Sequence, residues 1–277
     1  MSVDQAAKAA AFRALHAREG AFIIPNPWDA GSAKLLASLG FEALATTSLG
    51  VANGLGRADS TLSLDEILEN CRVIAAATEL PVNADLENGG DDSPDAAAEA
   101  IRRAAEAGAV GGSIEDFSGD AAAPIYPFEQ AVARVRAAVA AARAVPSGFV
   151  LTARAENLIH GRADMADTIK RLQAFAEAGA DVLYAPGLRT LAEVRAVVQA
   201  VDRPVNVVTG WLERGITLAD LAAAGAKRIS VGGALQRLAL GAFLRAGRAM
   251  AEEGSFDWMG EMAPMAEVRK GFAGRRE

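Results

Sequence analysis

The run Pro81-Val-Asn-Ala-Asp-Leu-Glu-Asn-Gly-Gly90 carries two carboxylates, Asp85 and Glu87, to the end of a short apolar segment, where two glycines turn the chain away. In an extended strand, residues two apart point to the same side, so both acids can converge on one point. Neighbouring carboxylates repel and are costly to bury unless a positive charge sits between them. Oxygen ligands of this kind suit a hard divalent cation such as Mg²⁺, with Mn²⁺ as the alternative ion. The competing interpretation is a plain solvated strand end, and the surrounding chain has to decide.

The elements that must position these acids repeat along the chain. Strands are predicted at Phe22–Ile24, Ala43–Thr46, Val82–Asp85, Gly112–Glu115, Phe149–Ala153, Asp181–Tyr184, Val205–Val208 and Arg228–Val231. Helices are expected between them, several opened by a capping residue: Asp29, Ser63 with Glu66, Ser93-Pro94 and Thr190 with Glu193. Gly40-Phe41, Gly108-Ala109, Gly179-Ala180 and Gly225-Ala226 close helices just before the next strand. Short apolar strands alternating with amphipathic helices imply parallel pairing buried on both faces. Eight such units in this length predict an α/β fold, a TIM (β/α)8 barrel, rather than an open sheet. No Gly-x-Gly-x-x-Gly follows the first strand, which removes the main support for a dinucleotide-binding fold.

With 277 residues, 51% hydrophobic, the chain is long enough for one large core, and residues 1–277 are expected to form a single domain. The net charge of −7 argues against non-specific nucleic-acid binding. Cys71 is the single cysteine, which excludes an intramolecular disulfide and a cysteine-rich zinc site. No apolar run approaches the ~20 residues of a membrane span, and no signal-peptide pattern opens the chain, so a cytoplasmic location is expected.

In barrels of this type, chemistry sits at the C-terminal ends of the strands. There the sequence places Asn26 and Trp28; Thr46, Thr47 and Ser48; Asp85 and Glu87; Glu115 and Asp116; Arg154 and Glu156; Tyr184; Asn206 and Thr209; and Gly232 with Gly233. Asp59 is available from the loop after the second strand. Arg154 supplies a fixed charge with fork geometry for a carboxylate or phosphate, the alternative being a structural ion pair with Glu115 or Glu156. Thr47, Ser48 and their backbone N–H groups can hold an anionic oxygen.

The ordered set Asn26-Pro-Trp-Asp-Ala-Gly-Ser-Ala33, Thr47-Ser-Leu-Gly50 with Asp59, Asp85-Leu-Glu-Asn-Gly89, Ile114-Glu-Asp116 and Thr152-Ala-Arg154 resembles the isocitrate lyase/phosphoenolpyruvate mutase superfamily over residues 20–250. The resemblance implies a Mg²⁺-dependent barrel that handles α-oxo acids through enolate-like intermediates. It implies a homo-oligomer, a dimer or tetramer, in which the last barrel helix is exchanged between subunits. The extension from about residue 234 to 277, with Trp258, Met259, Met262 and Met265, is expected to serve those contacts. By the same resemblance Asp85 is the direct metal ligand, and Asp59, Glu87 and Glu115 hold the metal's water shell. Catalytic roles are expected for Arg154, Glu115 and Asp59. Substrate contacts are expected from Trp28, Thr47, Ser48, Leu49, Asp85, Arg154 and Asn206.

The departures from the family pattern concern the acid/base. Lyases of the superfamily carry a thiol in a mobile loop after strand four, whereas this loop reads Phe117-Ser-Gly-Asp-Ala-Ala-Ala-Pro-Ile-Tyr-Pro127, without Cys, His or Lys. The Lys and Asn of the phosphonomutase loop are absent too. Asp120 and Tyr126 are the loop's own candidates for proton transfer. Cys71 falls among Leu68, Val73 and Ile74 on a helix and reads as a core residue. None of Lys8, Lys34, Lys170, Lys227 and Lys270 lies at a C-terminal strand end, which disfavours a Schiff-base aldolase. His16 lies on the first helix, and His160 can reach the pocket rim.

The expected activity is Mg²⁺-dependent cleavage of a carbon–carbon bond in an α-oxo or 2-hydroxy di- or tricarboxylate, through a pyruvate-like enolate. The alternatives are a phosphoenolpyruvate or phosphonopyruvate mutase or hydrolase, and a barrel that binds an oxo acid without turning it over.

Overall fold

A computed structural model describes residues 4–273. Residues 274–277, the end of the expected extension, and the first three residues lie outside the described residues.

The chain runs α1 (Gln5–Ala17), β1 (Phe22–Ile24), α2 (Ala30–Ser38), β2 (Leu44–Ala45), α3 (Ser48–Gly54), α4 (Leu64–Ala76), β3 (Val82–Asp85), α5 (Pro94–Glu106) and β4 (Gly111–Glu115). It continues α6 (Phe128–Ala144), β5 (Val150–Arg154), α7 (Met165–Glu177), β6 (Val182–Tyr184), α8 (Leu191–Ala200), β7 (Val205–Val208), α9 (Leu218–Ala223), β8 (Arg228–Ser230), α10 (Ala234–Arg248) and α11 (Met265–Phe272). The eight strands form one parallel sheet in the order β1-β8-β7-β6-β5-β4-β3-β2. The seam between β1 and β2 is bridged by the Ala45 N–H, which donates to Pro25 O at 3.1 Å. Asn26 fastens the same seam. Its Nδ2 donates to Thr46 O at 3.1 Å, and its Oδ1 accepts from Val231 and Gly232 N–H at 2.9 Å each. The fold is a TIM barrel.

The capping signals hold where the sequence places them. Ser63–Glu66 and Thr190–Glu193 form reciprocal capping boxes at α4 and α8, and Asp29 accepts from Ser32 N–H at the start of α2. Gly225, at φ 91°, ends α9 in the left-handed region, and a Cβ there would come within 2.6 Å of Val198. Alanines allow the outer helices to approach one another and the sheet, with Ala97, Ala100 and Ala104 of α5 and Ala138, Ala141 and Ala142 of α6 all buried. Cys71 is buried in this layer, and burial pushes its thiol up to about 12.

At the N-terminal mouth α1 plugs the barrel. Phe12 is fully buried, and a Cβ at Gly111 would come within 2.7 Å of its ring, so glycine makes room for the plug. The His16 ring stands edge-on to Phe12 and Phe22 at 4.7 and 5.1 Å. At the other end of the chain α10 leaves the barrel with Gln236 as its one buried residue, while Leu238 (67%), Phe243 (73%) and Leu244 (51%) are exposed. α11 then returns to α2, where a Cβ on Gly271 would come within 2.6 Å of Leu35. Among the described residues no helix is long and apolar enough to cross a membrane.

Candidate active site

The C-terminal ends of the strands surround a cavity of about 150 Å³. Of the residues expected at a site, Thr47, Ser48, Leu49, Asp59, Asp85, Arg154 and Asn206 line it. Glu87 and Glu115 stand behind this lining. Trp28 does not line it. Its carbonyl accepts from Asn70 Nδ2 at 2.8 Å and its N–H donates to Ser32 Oγ at 3.1 Å, so its backbone ties α2 to α4.

Asp85 ends β3 and is held on both sides. Its own N–H donates to Thr46 Oγ1 at 2.8 Å, and its Oδ2 accepts from Ser48 N–H and Oγ–H at 3.0 and 2.9 Å. Ser48 can reach because Thr47 caps a short helix, α3, which the sequence pattern did not reveal. Glu87 arrives by a route other than strand alternation. β3 stops at Asp85, and Glu87 adopts φ 50° in the left-handed region before Gly89 closes a tight turn onto Leu86 O at 2.8 Å. A non-glycine residue held there is strained, and its Oε1 is buried without a hydrogen-bond partner among the described residues.

Arg154 is the positive centre of the cluster. Its Nη1 donates to Asp85 Oδ1 at 2.8 Å, its Nη2 pairs with Glu115 Oε2 at 3.0 Å, and its Nε donates to Glu156 Oε1 at 2.8 Å. The ion pair weighed from sequence therefore forms, and it includes the expected metal ligand. Burial alone would lower the Arg154 pKa, but the charges of Glu115, Glu156 and Asp85 keep it well above its ordinary range. One cation does not balance the acids around it. Burial, then the charge of Asp85, push Glu87 up to about 7, and the same two causes raise Asp59. Glu115 is raised well above the usual carboxylate range by burial, with Arg154 opposing.

Behind this cluster lies a second network. Arg171 pairs with Asp116 Oδ2 at 3.0 Å and Asp167 Oδ2 at 2.8 Å, and Asp116 Oδ1 accepts from Glu156 N–H at 2.7 Å. The loop after β4 forms a small hairpin through a bridge between Phe117 and Ile125. Its candidate proton donors lie away from the cavity lining. Asp120 is exposed, and the Tyr126 hydroxyl donates to Asp92 Oδ1 at 2.6 Å. His160 stacks on Phe117 at 3.8 Å between ring centres, and its Nε2 is 3.7 Å from Glu156 Oε2. It is not among the residues that line the cavity, and burial lowers its pKa.

The sequence listed Tyr184 only as a strand end. In the structure its ring lies under the Arg154 guanidinium at 4.9 Å, and its hydroxyl has no hydrogen-bond partner among the described residues. Asn83, Ser113, Arg228 and Ser230, lower on the strands, also line the cavity. Their signal was polar residues at alternate positions of otherwise apolar strands: Asn83 and Asp85, Ser113 and Glu115, Thr152 and Arg154.

Comparison with known proteins agrees with this architecture. The sequence family described as phosphoenolpyruvate phosphomutase matches residues 12–251. The chain belongs to that family. Its superfamily of phosphoenolpyruvate mutases and isocitrate lyases includes lyases, mutases and hydrolases. A crystal structure from Burkholderia cenocepacia J2315, provisionally assigned as a lyase/mutase, is 56% identical and superimposes with a TM-score of 0.95, covering 98% of each chain. The 2-methylisocitrate lyase of Escherichia coli K12 is 34% identical over 70% of this chain and 67% of its own length. A phosphonopyruvate hydrolase solved with oxalate and Mg²⁺ has 25% identity and a TM-score of 0.85, covering 99% of this chain and 95% of its own. Members of the phosphomutase family thus share the barrel while differing in the bond they break.

Proposed function

We propose that this protein is a Mg²⁺-dependent carbon–carbon lyase acting on an α-oxo or 2-hydroxy di- or tricarboxylate. The observation that carries the reading is the excess of acid around Arg154: Asp85, Glu115 and Glu156 in contact, with Glu87 and Asp59 beside them. The buried, unpartnered Oε1 of half-buried Glu87 and the raised carboxyls of Glu87 and Asp59 fit a site that gains a divalent cation. Among the described residues no three of His, Cys, Asp and Glu are spaced to clasp an ion directly. By the resemblance, Asp85 would hold Mg²⁺ directly, and Glu87, Glu115 and Asp59 would hold it through water, since Mg²⁺ keeps several waters. When bound, Mg²⁺ supplies a Lewis acid for the oxygen on which negative charge develops.

The chain's own residues do the rest. Ser48 N–H and Oγ–H, now given to Asp85, are placed to bind an anionic substrate oxygen beside it. The Arg154 fork, freed from Asp85, holds the substrate carboxylate and the enolate charge. In the decarboxylation of an oxaloacetate-like acid, the carbon–carbon bond breaks and CO₂ leaves. The electron pair stays as the enolate, and a proton from the Tyr184 hydroxyl goes to carbon and is restored from water. Burial raises the Tyr184 pKa, which keeps that proton in place at neutral pH. The hairpin 117–125 and His160 shield the rim from solvent.

Chemistry at phosphorus is the second reading, favoured by the description of the matching family. Incubation with Mg²⁺ and a panel of oxo acids, substituted malates, citrate-type acids and phosphoenolpyruvate, followed by proton and phosphorus NMR with and without EDTA, separates the readings. EDTA-sensitive carbon–carbon cleavage products are expected, and Asp85→Ala should abolish them. Turnover that survives this substitution overturns the assignment. New phosphorus signals establish the second reading, and ligand-induced stabilisation without any product establishes a binding protein.

The apolar residues exposed on α10, with Phe256, Met259 and Met262 beyond it, support a single barrel whose C-terminal extension, from about residue 234, packs on a neighbouring copy. A monomer by light scattering would overturn that part.

A further inference from the structure

Three arginines are buried among the described residues: Arg134, Arg171 and Arg228. Arg171 pairs with Asp116 and Asp167. Arg134 donates to the carbonyls of Asn88, Asp91 and Ser93, with its Nε unpartnered among the described residues, and stacks on the Tyr126 ring. Arg228 differs from both in lining the cavity. It sits on β8 at 3% exposure, its Nε donates to Asn206 Oδ1 at 2.8 Å, and its Nη2 donates to Thr152 Oγ1 at 2.9 Å. Both partners are neutral, and Nη1 is buried with no partner among the described residues. Burial lowers its pKa to about 9, which still leaves it charged at neutral pH. An unpaired buried cation is costly, and a fold keeps one where an anion completes it.

Arg228 also lines the cavity, and so do Asn83, Ser113, Asn206 and Ser230, all neutral. Asn83 Oδ1 is a second unpartnered buried atom in this wall, and rotating the amide would present its N–H₂ instead. The cavity is therefore bipolar, acidic at the strand ends and cationic beneath. Thr152, which holds the Arg228 fork, precedes Arg154 by two residues on β5, so the two levels are about 6–7 Å apart.

We propose that Arg228 is an anion-recognition residue at the floor of the cavity, receiving the distal carboxylate of a short dicarboxylate whose oxo-acid end lies at Asp85 and Arg154. The position of the oxo-acid end rests on the function proposed above; the floor site does not. Asn206 and Thr152 hold Nε and Nη2, which leaves Nη1 as the donor for the carboxylate, and no covalent step is involved.

The test compares wild type with Arg228→Met and Arg228→Lys by calorimetric binding and thermal melting in Mg²⁺. The ligands are 2-oxoglutarate, its monoester at the distal carboxylate, oxalate, succinate and chloride. Wild type should prefer 2-oxoglutarate to the monoester by about tenfold or more, the worth of one charge-assisted hydrogen-bonded pair. That ratio should fall to near one in Arg228→Met and take an intermediate value in Arg228→Lys, which keeps the charge without the fork. Free of ligand, Arg228→Met should melt no lower than wild type, because it removes an uncompensated buried charge. A lower melting temperature with an unchanged ratio would show that Arg228 only supports the fold, and would overturn the proposal. If Arg228→Met does not fold, an Arg228→Lys ratio equal to that of wild type overturns it as well.

Oxalate is too short to reach the floor and reports on the oxo-acid end alone. Failure of wild type to bind oxalate overturns the proposed function, while succinate protection lost in Arg228→Met would still establish the floor site. Stabilisation by chloride equal to that by the diacids would reduce the site to one for a free monovalent anion and overturn its role toward substrate.

Discussion

The two ends of the barrel interior carry opposite charge problems. At the C-terminal end Arg154 faces Asp85, Glu115 and Glu156, with Glu87 and Asp59 adding to the surplus of acid. At the N-terminal end Arg228 has no acid partner among the described residues, and His16, wedged between Phe12 and Phe22, is driven toward its neutral form. Behind the acidic end, Arg171 and Arg162 face Asp116 and Asp167, two charges of each sign, and this network lines no part of the cavity. The unbalanced ends are where the proposed ion and substrate would bind.

The largest expected effect tests the end where protons move. Tyr184→Phe keeps the ring beneath Arg154 and removes only the hydroxyl. If that hydroxyl protonates the enolate, the turnover number should fall by about 10²–10⁴, while oxalate binding and its Mg²⁺ dependence persist. Unchanged turnover would return the search for the acid to the hairpin 117–125 and His160.

The matched network gives the next effect, on stability alone. Arg171→Met leaves buried Asp116, which burial already pushes up to about 6, without a cation, while Asp167 keeps only Arg162 at 3.4 Å. Urea unfolding should show a loss of about 3–5 kcal/mol, the usual cost of breaking a buried pair from one side. Mg²⁺ should not restore it, because this network is not the one short of a cation. Rescue by Mg²⁺ would mean that the two networks act as one.

Smaller effects of opposite sign should appear with pH. Glu87 titrates at about 7 in the folded protein, against about 4.3 when unfolded. Across that window the native state holds a proton that the unfolded chain has released, so stability without metal falls as pH rises from about 4.3 to about 7. His16 does the reverse. Its folded value is about 3, with burial the main cause and Arg228 the next, against about 6.5 when unfolded. Its contribution is complete above about 6.5 and is lost as pH falls toward 3, amounting to a few kcal/mol at most. Unfolding free energies measured from pH 3 to 8 should lose the acid-side slope in His16→Asn and the neutral-side slope in Glu87→Gln. Unchanged slopes in both variants would dissolve the contrast between the ends.

Much of this arrangement was legible in the sequence because it depends on local rules. Capping pairs such as Ser63–Glu66 set helix starts, and apolar strand lengths set the barrel that brings Asp85, Arg154 and Asn206 to one cavity. What escaped depends on backbone hand and on long-range partners. Glu87 enters through a left-handed turn that residue spacing does not reveal. α3 is seven residues long, contains two glycines and has no periodic apolar face, so it shows only in the structure, where Gly50 N–H donates to Thr47 Oγ1 and Val51 N–H to Thr47 O. Arg228 read as the start of a strand. Its missing counter-charge becomes visible only once β5 and β7 stand around it.

The smallest expected effect concerns the one residue that could imitate the thiol of the family's lyases. Cys71 lies on α4 in the outer layer, is fully buried, and is held in its thiol form by burial. It therefore belongs to neither charged end of the barrel. Cys71→Ala should cost about 1 kcal/mol, roughly one buried methylene's worth of contact, and leave turnover unchanged. A thiol-blocking reagent should likewise leave the native enzyme active. Loss of turnover in Cys71→Ala at full stability would put a thiol back into the chemistry and remove the need for Tyr184. Retained turnover in Cys71→Ala, together with its loss in Tyr184→Phe, would assign the proton to the phenol.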